Sequence, residues 1–336
     1  MSKKVCYLLS GFLVLGLFGL QSTKAESTPK VLSLATKPAG TTIYFIAAGM
    51  SAVWTKHAGV QVRVEPIPSI KQWGLLMDAG QVDLAIDNAV DSGGAYRADE
   101  LFKVGKGKLT SFRLLGAGHN TLMTYWTRPD AGIKSIEDFA GKRVVIDVPP
   151  GAPTANALGK SLVDDYYKLK GKYIRLTIGN PEECANALIE GRLDVYQFPW
   201  TPMAERVHRA VGVQTVPVPK AAAEYVAKKV PGMFPGVVPK GRYGLKEETP
   251  CIAWKGQLFA RESLDEQLVY TLLDTIYSHL DELHPVHPMA RMWVLQNATD
   301  SPTVPFHPGA IKFYKDKGVW TPALDRLQQE NLAAGK

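Results

Sequence analysis

Two glycine-containing turns, each followed by an apolar helical segment, carry the clearest binding chemistry in this sequence. The first turn is Pro38-Ala39-Gly40-Thr41-Thr42, and the second is Pro150-Gly151-Ala152-Pro153-Thr154. A helix N-terminus presents unpaired N–H groups and a partial positive charge, which suit a carboxylate or another small anion. Two such turns facing each other would hold an anionic solute. Taken singly, each turn is more typical of a tight strand-to-helix connection, and only the matched pair favours ligand binding.

The two turns lie at matching places in a weak internal duplication. The offset from Gly40 to Gly151 is 111 residues, and the same offset of 111 residues separates Gly80 from Gly191. Each unit reads as strand, turn, helix, strand, helix, glycine and strand, a pattern that favours parallel α/β layers. Chance similarity is the alternative, because few residues are identical. In such layers ligands bind beyond the carboxyl ends of the strands.

Other candidate ligand contacts follow strands or begin helices in the same units. Ser69 with Gln72 has the spacing of a helix capping box, and Asp87 stands at the end of a predicted strand. Asp87 would either accept an ammonium group or serve as a helix-capping or solvent-facing carboxylate. The full predicted ligand-binding set is Gly40, Thr41, Thr42, Tyr44, Ser69, Trp73, Asp87, Asn88, Gly151, Ala152, Thr154 and Trp200.

The sequence has few residue patterns typical of catalytic, metal or cofactor sites. Pro285 interrupts the histidines His279, His284 and His287, and no carboxylate pattern completes a metal site. Ser51 lacks the second glycine of a nucleophile elbow. The formal net charge is +7 without a Lys/Arg block, which argues against nucleic-acid binding. We therefore expect neither an enzyme nor a metal or cofactor site.

The N-terminus has the order of a secretory signal peptide. Lys3 and Lys4 precede an apolar run over residues 5–20, and Thr23-Lys24-Ala25 is a plausible cleavage site. The alternative is an uncleaved anchor. An exported protein of this size needs no disulfide, so we expect Cys184 and Cys251 to be buried and unpaired. The mature chain is expected in the periplasm.

An ordered set of short motifs resembles the TAXI-type solute receptors of TRAP transporters over nearly the whole mature chain. The matching pieces are residues 39–44, 68–72, 80–85, 88–90, 136–144, 150–154, 286–290 and 305–310. The resemblance implies a two-lobed periplasmic binding protein. Each lobe would hold a mostly parallel sheet flanked by helices, with two crossings near residues 125–127 and 251–254. Lobe I would comprise residues 26–125 and 251–336, and lobe II residues 126–250.

The same resemblance implies a monomer that captures a small organic acid or amino acid. It would deliver this ligand to the permease subunits of a TRAP transporter, driven by an ion gradient. An ABC importer or a membrane sensor kinase is the alternative partner for the same fold. This chain has Ala152 and Pro153 where the family has Ser and Gly, and Ala89 and Val90 in a usually polar segment. These departures favour a ligand less polar than glutamate, and the sequence places no arginine to bind it.

Overall fold

The computed structural model describes residues 31–336 except 68, 104, 106 and 148–151. The predicted signal peptide (residues 1–25) and Gly151 therefore lie outside the described residues. Within these residues, no helix has both the length and the apolar character required to cross a membrane.

Ten strands are described. They are β1 (Val31–Thr36), β2 (Gln61–Pro66), β3 (Leu84–Asn88), β4 (Phe112–Thr127), β5 (Arg143–Val145), β6 (Ile174–Arg175), β7 (Val195–Pro199), β8 (Gln214–Val216), β9 (Met233–Val238) and β10 (Thr249–Arg261).

Eleven α-helices are described among these residues. They are α1 (Thr42–Val53), α2 (Ile70–Asp78), α3 (Ala89–Arg97), α4 (Pro153–Gly159), α5 (Pro181–Ile189), α6 (Pro202–Val211), α7 (Lys220–Lys229), α8 (Glu266–Ser278), α9 (Leu280–Leu283), α10 (Pro308–Asp316) and α11 (Pro322–Gly335).

The strands follow the order β2-β1-β3-β10-β4-β7-β5-β6, with β8 beside β4 and β9 beside β10. On one side, β1 pairs in parallel with β2 and β3. On the other side, β5 pairs in parallel with β6 and β7. We call the half built on β1–β3 and the segment after β10 the first lobe, and the half built on β5–β9 the second. This confirms the predicted two-lobed α/β fold.

The helices and strands follow the internal duplication found in the sequence. Helix α2 begins at Ile70 and α5 at Pro181, while β3 begins at Leu84 and β7 at Val195. Both pairs keep the offset of 111 residues found in the sequence. Gly80 and Gly191 both have left-handed backbone, with φ of +69° and +73°, which only glycine adopts without strain. The two lobes therefore share one β-α-β-α-β plan.

Strands β4 and β10 pass through both lobes. Residues 256–260 of β10 pair with β3, whereas its residues 249–254 pair with β9. Likewise, residues 123–127 of β4 pair with β7, while its earlier part pairs with β10. The lobes are thus joined by one continuous pair of antiparallel strands.

Each lobe has its own apolar core. Trp73, Phe112 and Phe259 pack together in the first lobe. In the second lobe Cys184 and Cys251 lie in one cluster, both buried and unpaired as predicted. Burial raises the pKa of each thiol to about 12, so both stay protonated at neutral pH.

Candidate functional site

A cavity of about 460 Å³ lies where the lobes meet. The first lobe contributes the start of α1, the second lobe contributes the end of β7, and the shared strand β4 forms the wall between them. The lining residues are Gly40, Thr41, Thr42, Ile43, Phe45, His119, Asn120, Thr121, Leu122, Pro199, Trp200, Thr201, Arg242, His287 and Met289. We call this space the inter-lobe cavity.

The first glycine turn, which leads into α1, forms one end of the inter-lobe cavity. Thr41 is the residue that caps the start of α1. The Thr41 side chain accepts a hydrogen bond from the Tyr44 N–H at 3.3 Å and donates one to the Pro38 carbonyl at 2.8 Å. Gly40 has φ of +86°, and a Cβ added to it would meet no atom within 4 Å, so conformation rather than crowding selects glycine here. The predicted residues Gly40, Thr41 and Thr42 therefore lie together at the cavity.

Trp200 and Arg242 form the opposite end. The Trp200 indole N–H donates to the Arg242 carbonyl at 2.8 Å, which fixes the loop carrying Arg242. Trp200 is 3% exposed and packs edge-on against Trp126, with ring centroids 5.5 Å apart. The Arg242 guanidinium donates to the Met289 sulfur at 2.9 Å. A permanent positive charge thus reaches a cavity for which the sequence predicted no arginine.

Two histidines add neutral donors to the inter-lobe cavity. His119 Nδ1 accepts from the Trp293 indole at 3.3 Å, and His287 Nδ1 accepts from the Met289 N–H at 3.0 Å. These bonds leave the proton on Nε2 of each ring. Burial lowers the pKa of His119 to about 4, with smaller contributions from His287 and Lys255. Burial and Arg242 also lower the pKa of His287.

Two buried polar atoms at the cavity lack a hydrogen-bond partner among the described residues. They are Asn120 Oδ1, on β4, and Thr201 Oγ1, at the start of α6. A buried polar atom left unpaired costs about 1–3 kcal/mol, so such atoms are usually satisfied by a ligand or water. Neither residue stood out in the sequence, because nothing there placed Asn120 or Thr201 beside the first glycine turn.

A cluster of charged and polar side chains also joins the lobes. Asp87 is 1% exposed, with Oδ1 2.7 Å from the Lys37 ammonium and Oδ2 2.9 Å from the Trp73 indole N–H. Asp91, in the first turn of α3, accepts from the Thr154 hydroxyl of the second lobe at 2.6 Å. We call Lys37, Asp87, Asp91 and Thr154 the lobe-junction cluster. Asp87 is therefore neither solvent-facing nor a helix cap.

The other predicted residues that the structure describes do not line the inter-lobe cavity. Ser69 begins α2 and accepts from the Lys71 N–H at 3.2 Å, whereas Asn88 begins α3 and accepts from the Asp91 N–H at 2.7 Å. Ala152 precedes α4 without a side-chain cap. Tyr44 lies beside Phe45, with ring centroids 6.4 Å apart. Trp73 is 1% exposed in the first core, so it positions Asp87 instead of covering a ligand as predicted.

A second cavity, of about 470 Å³, also lies between the lobes. Its lining is mainly apolar, from Val90 and Phe102 in the first lobe and Tyr225 and Val230 in the second. Its rim charges include the protein's own ion pairs Arg97–Asp99 and Lys160–Asp165. The inter-lobe cavity is the better ligand site, because it combines a cation, neutral donors and unpaired polar atoms. Among the described residues, no group of three or more His, Cys, Asp or Glu side chains is placed to hold a metal.

A profile of the NMT1-like family matches residues 34–318. The chain belongs to the NMT1-like family. The match spans both lobes, the crossing strands and the segment that carries His287. It therefore covers every described residue at the inter-lobe cavity.

Solved structures show the same fold as this NMT1-like chain at low sequence identity. MatC of Rhodopseudomonas palustris, solved with malate bound, is 15% identical, with 91% of this chain and 98% of that chain covered and a TM-score of 0.51. A TctC solute-binding protein of Polaromonas is 14% identical, with coverage of 78% and 88% and a TM-score of 0.52. The periplasmic binding protein BugD is 14% identical, with coverage of 90% and 97% and a TM-score of 0.52. The fold is that of periplasmic solute-binding proteins.

Proposed function

We propose that this NMT1-like protein is an extracytoplasmic receptor that captures a small organic anion between its lobes. The observation that carries this proposal is the inter-lobe cavity. There, Arg242 of the second lobe lies among hydroxyl groups at the start of α1 and the neutral ring of His287. Charge-assisted hydrogen bonds from Arg to a carboxylate are among the strongest polar contacts in proteins.

The cavity chemistry favours a ligand with one anionic group and an apolar or aromatic body. Arg242 supplies a permanent positive charge, whereas His119 and His287 are neutral donors. Phe45, which is 44% exposed and stacked on His287, and Trp200 supply aromatic surface for the rest of the ligand. A carboxylate or sulfonate with such a body uses all of these groups.

We further propose that the receptor delivers its ligand to a TRAP-type, ion-gradient-driven permease as a TAXI-type monomer. The motif resemblance over residues 39–310 supports this partner. A signal peptide cleaved near Ala25 would place the mature chain in the periplasm. Mass spectrometry of the mature protein tests cleavage near Ala25. Co-purification with the permease subunits tests the TRAP-type partner.

The ligand proposal is tested by a thermal-shift screen of organic acids, followed by calorimetry on the hits. A ligand at about 100 times its dissociation constant should add about 2.7 kcal/mol of stability. Replacing Arg242 by Gln should then weaken binding about 10- to 100-fold, since a hydrogen bond to a charged group contributes about 1.5–3 kcal/mol. The exposed Arg326, on α11, gives the matched control Arg326→Gln, which should bind like the wild type.

The Arg242→Gln variant keeps the contact that fixes its loop. The Trp200 indole bonds to the backbone carbonyl of Arg242 and not to its side chain. Equal affinity in Arg242→Gln and the wild type would show that the anion binds elsewhere. Absence of binding to every acid in the screen would contradict the proposed function itself.

A further inference from the structure

Two oxygen atoms at the inter-lobe cavity have hydrogen-bonding capacity that no described residue uses. They are Asn120 Oδ1 and Thr201 Oγ1, which are buried and unpartnered, and both residues line the same cavity as Arg242. The amide oxygen of Asn120 only accepts hydrogen bonds, whereas the hydroxyl group of Thr201 both donates and accepts them. The anionic group of a ligand has no hydrogen atom for Asn120, so a second, donating group is needed to satisfy this oxygen.

Both residues belong to the end of the cavity where Arg242 lies. Thr201 follows Trp200, whose indole N–H bonds to the Arg242 carbonyl at 2.8 Å. The backbone N–H of Trp200 donates to the Leu122 carbonyl at 3.3 Å, and Asn120 lies two residues before Leu122 on β4. A ligand whose carboxylate binds Arg242 therefore meets these oxygen atoms with a group close to that carboxylate.

The two side chains lose no hydrogen bond when they turn toward a ligand. Thr201 is the N-cap residue of α6, but its side chain makes no capping hydrogen bond to the helix. Asn120 Oδ1 likewise has no partner among the described residues. Rotation of either side chain toward the cavity and a bond to the ligand would remove the free-energy cost of an unpaired buried polar atom.

The charge of the cavity determines which donating group fits. The described residues that line it include no Asp or Glu, whereas Arg242 is permanently charged. An ammonium group would lie near this cation without a carboxylate of the protein beside it, which is unfavourable in a partly desolvated site. A hydroxyl group is neutral, and it can pair with either end of the Asn120 amide and with the Thr201 hydroxyl.

We infer that the receptor selects organic acids that carry a hydroxyl group next to the carboxylate, and that Asn120 and Thr201 bind this hydroxyl. The inference rests on the proposed function and narrows its ligand class. The hydroxyl donates to Asn120 Oδ1 and accepts from Thr201, while the carboxylate binds Arg242. The class consists of 2-hydroxy acids with an apolar or aromatic body.

The direct test compares acids that share a carbon skeleton and differ only at carbon 2. One series is 3-phenylpropanoate, 3-phenyllactate and phenylalanine, and the other is 4-methylpentanoate, 2-hydroxy-4-methylpentanoate and leucine. Calorimetry on the wild-type protein uses both enantiomers of each chiral compound. The better enantiomer of the hydroxy acid should bind about tenfold more tightly than the unsubstituted acid and the amino acid, because these leave Asn120 unpaired or bring a second cation.

The second arm removes the two oxygen atoms. Asn120→Leu and Thr201→Val keep side chains of similar volume, and the double variant should bring the hydroxy acid and the unsubstituted acid within about twofold of each other. Affinity for the unsubstituted acid should be unchanged or higher, which a folding defect would not produce. Thr177→Val is the matched control, because Thr177 is exposed between β6 and α5, and it should keep the wild-type preference.

The outcomes separate this inference from the proposed function. If the unsubstituted acids bind and neither enantiomer of a hydroxy acid binds more tightly, the ligand is an organic anion but the inference is wrong. Tighter binding of the amino acids would also overturn it, because the donating group would then be an ammonium. An unchanged preference in the folded double variant would refute the assignment to Asn120 and Thr201. If no acid of any kind binds, the proposed function fails and the inference fails with it.

Discussion

At the scale of single residues, two buried histidines make the folded state sensitive to acid. His119 is 3% and His307 1% exposed, and burial lowers the pKa of each to about 4. The unfolded chain binds these protons near pH 6.5, whereas the folded chain does so only near pH 4. The unfolded state therefore holds more protons in that window. The stability that neutral histidines contribute is complete above pH 6.5 and is lost as the pH falls toward 4.

His307→Asn should reduce this acid sensitivity. Asn keeps a side-chain acceptor for the Gly309 N–H, which His307 Nδ1 now accepts at 3.2 Å, but it does not titrate. Between about pH 7 and pH 4.5 the variant should lose roughly 2 kcal/mol less unfolding free energy than the wild type. Urea unfolding at both pH values measures this difference. Equal losses in the two proteins would show that His307 does not carry the effect.

At the scale of elements, Thr41 does two things at once. Its side chain begins α1 by accepting from the Tyr44 N–H, and it also faces the inter-lobe cavity. Loss of a helix-capping side chain typically costs about 1 kcal/mol. Thr41→Val should therefore reduce both the unfolding free energy, by about 1 kcal/mol, and the ligand affinity.

Thr41→Ser is the matched control, since it keeps the hydroxyl group and removes only a methyl group. It should stay within about 0.5 kcal/mol of the wild type in urea unfolding. Calorimetry with a ligand from the screen gives the second readout. If Val and Ser behave alike in both measurements, the hydroxyl of Thr41 neither caps α1 nor contacts the ligand.

The sequence predicted elements with local signals and missed contacts that depend on the sheet. The repeated glycine spacing predicted a strand after Gly80 and another after Gly191, and the structure has β3 and β7 there. An aspartate precedes each of these strands and makes the same contact in both lobes. Asp83 accepts from the Ser33 N–H at 2.9 Å, and Asp194 accepts from the Arg143 N–H at 2.8 Å, so each ties one strand to its neighbour. Arg242 was missed because it lies between β9 and β10, and no local pattern shows that this loop lines the same cavity as the start of α1.

The lobe-junction cluster was also missed because its contacts depend on the order of strands in the sheet. Asp87 stood out at the end of a strand, but its partner Lys37 gave no signal. Lys37 approaches Asp87 because β1 and β3 are adjacent in the sheet, with Leu34 opposite Leu84. Strand adjacency is set by packing over the whole lobe, and a single sequence shows only the order of strands along the chain.

At the scale of the whole molecule, the paired strands β4 and β10 are the connection about which the lobes can move. We propose that the hinge lies at residues 118–122 and 255–256, a few residues from the predicted crossings at 125–127 and 251–254. Strand β4 passes from β10 to β7 at Met123, and β10 passes from β9 to β3 between residues 254 and 256. Their register shifts between Lys255 and Gln257. The His119 ring covers Gly256 there, because a Cβ on Gly256 would lie 2.1 Å from this ring. His119 also lines the inter-lobe cavity, so the same side chain contacts both the proposed hinge and the proposed ligand site.

Gly256→Ala should disturb both stability and closure. The added methyl group must displace His119, and overpacking of a buried position typically costs about 1–3 kcal/mol. Gly107→Ala is the matched control, because no atom lies within 4 Å of its Cβ position and its φ is not positive. Small-angle scattering with a ligand from the screen should show a smaller radius of gyration for the wild type and Gly107→Ala, and a reduced change for Gly256→Ala. A ligand that leaves the radius of gyration of the wild type unchanged would contradict hinge closure. If the Gly256→Ala variant compacts as much as the wild type, crowding between residue 256 and His119 does not hinder closure. The hinge would then lie elsewhere.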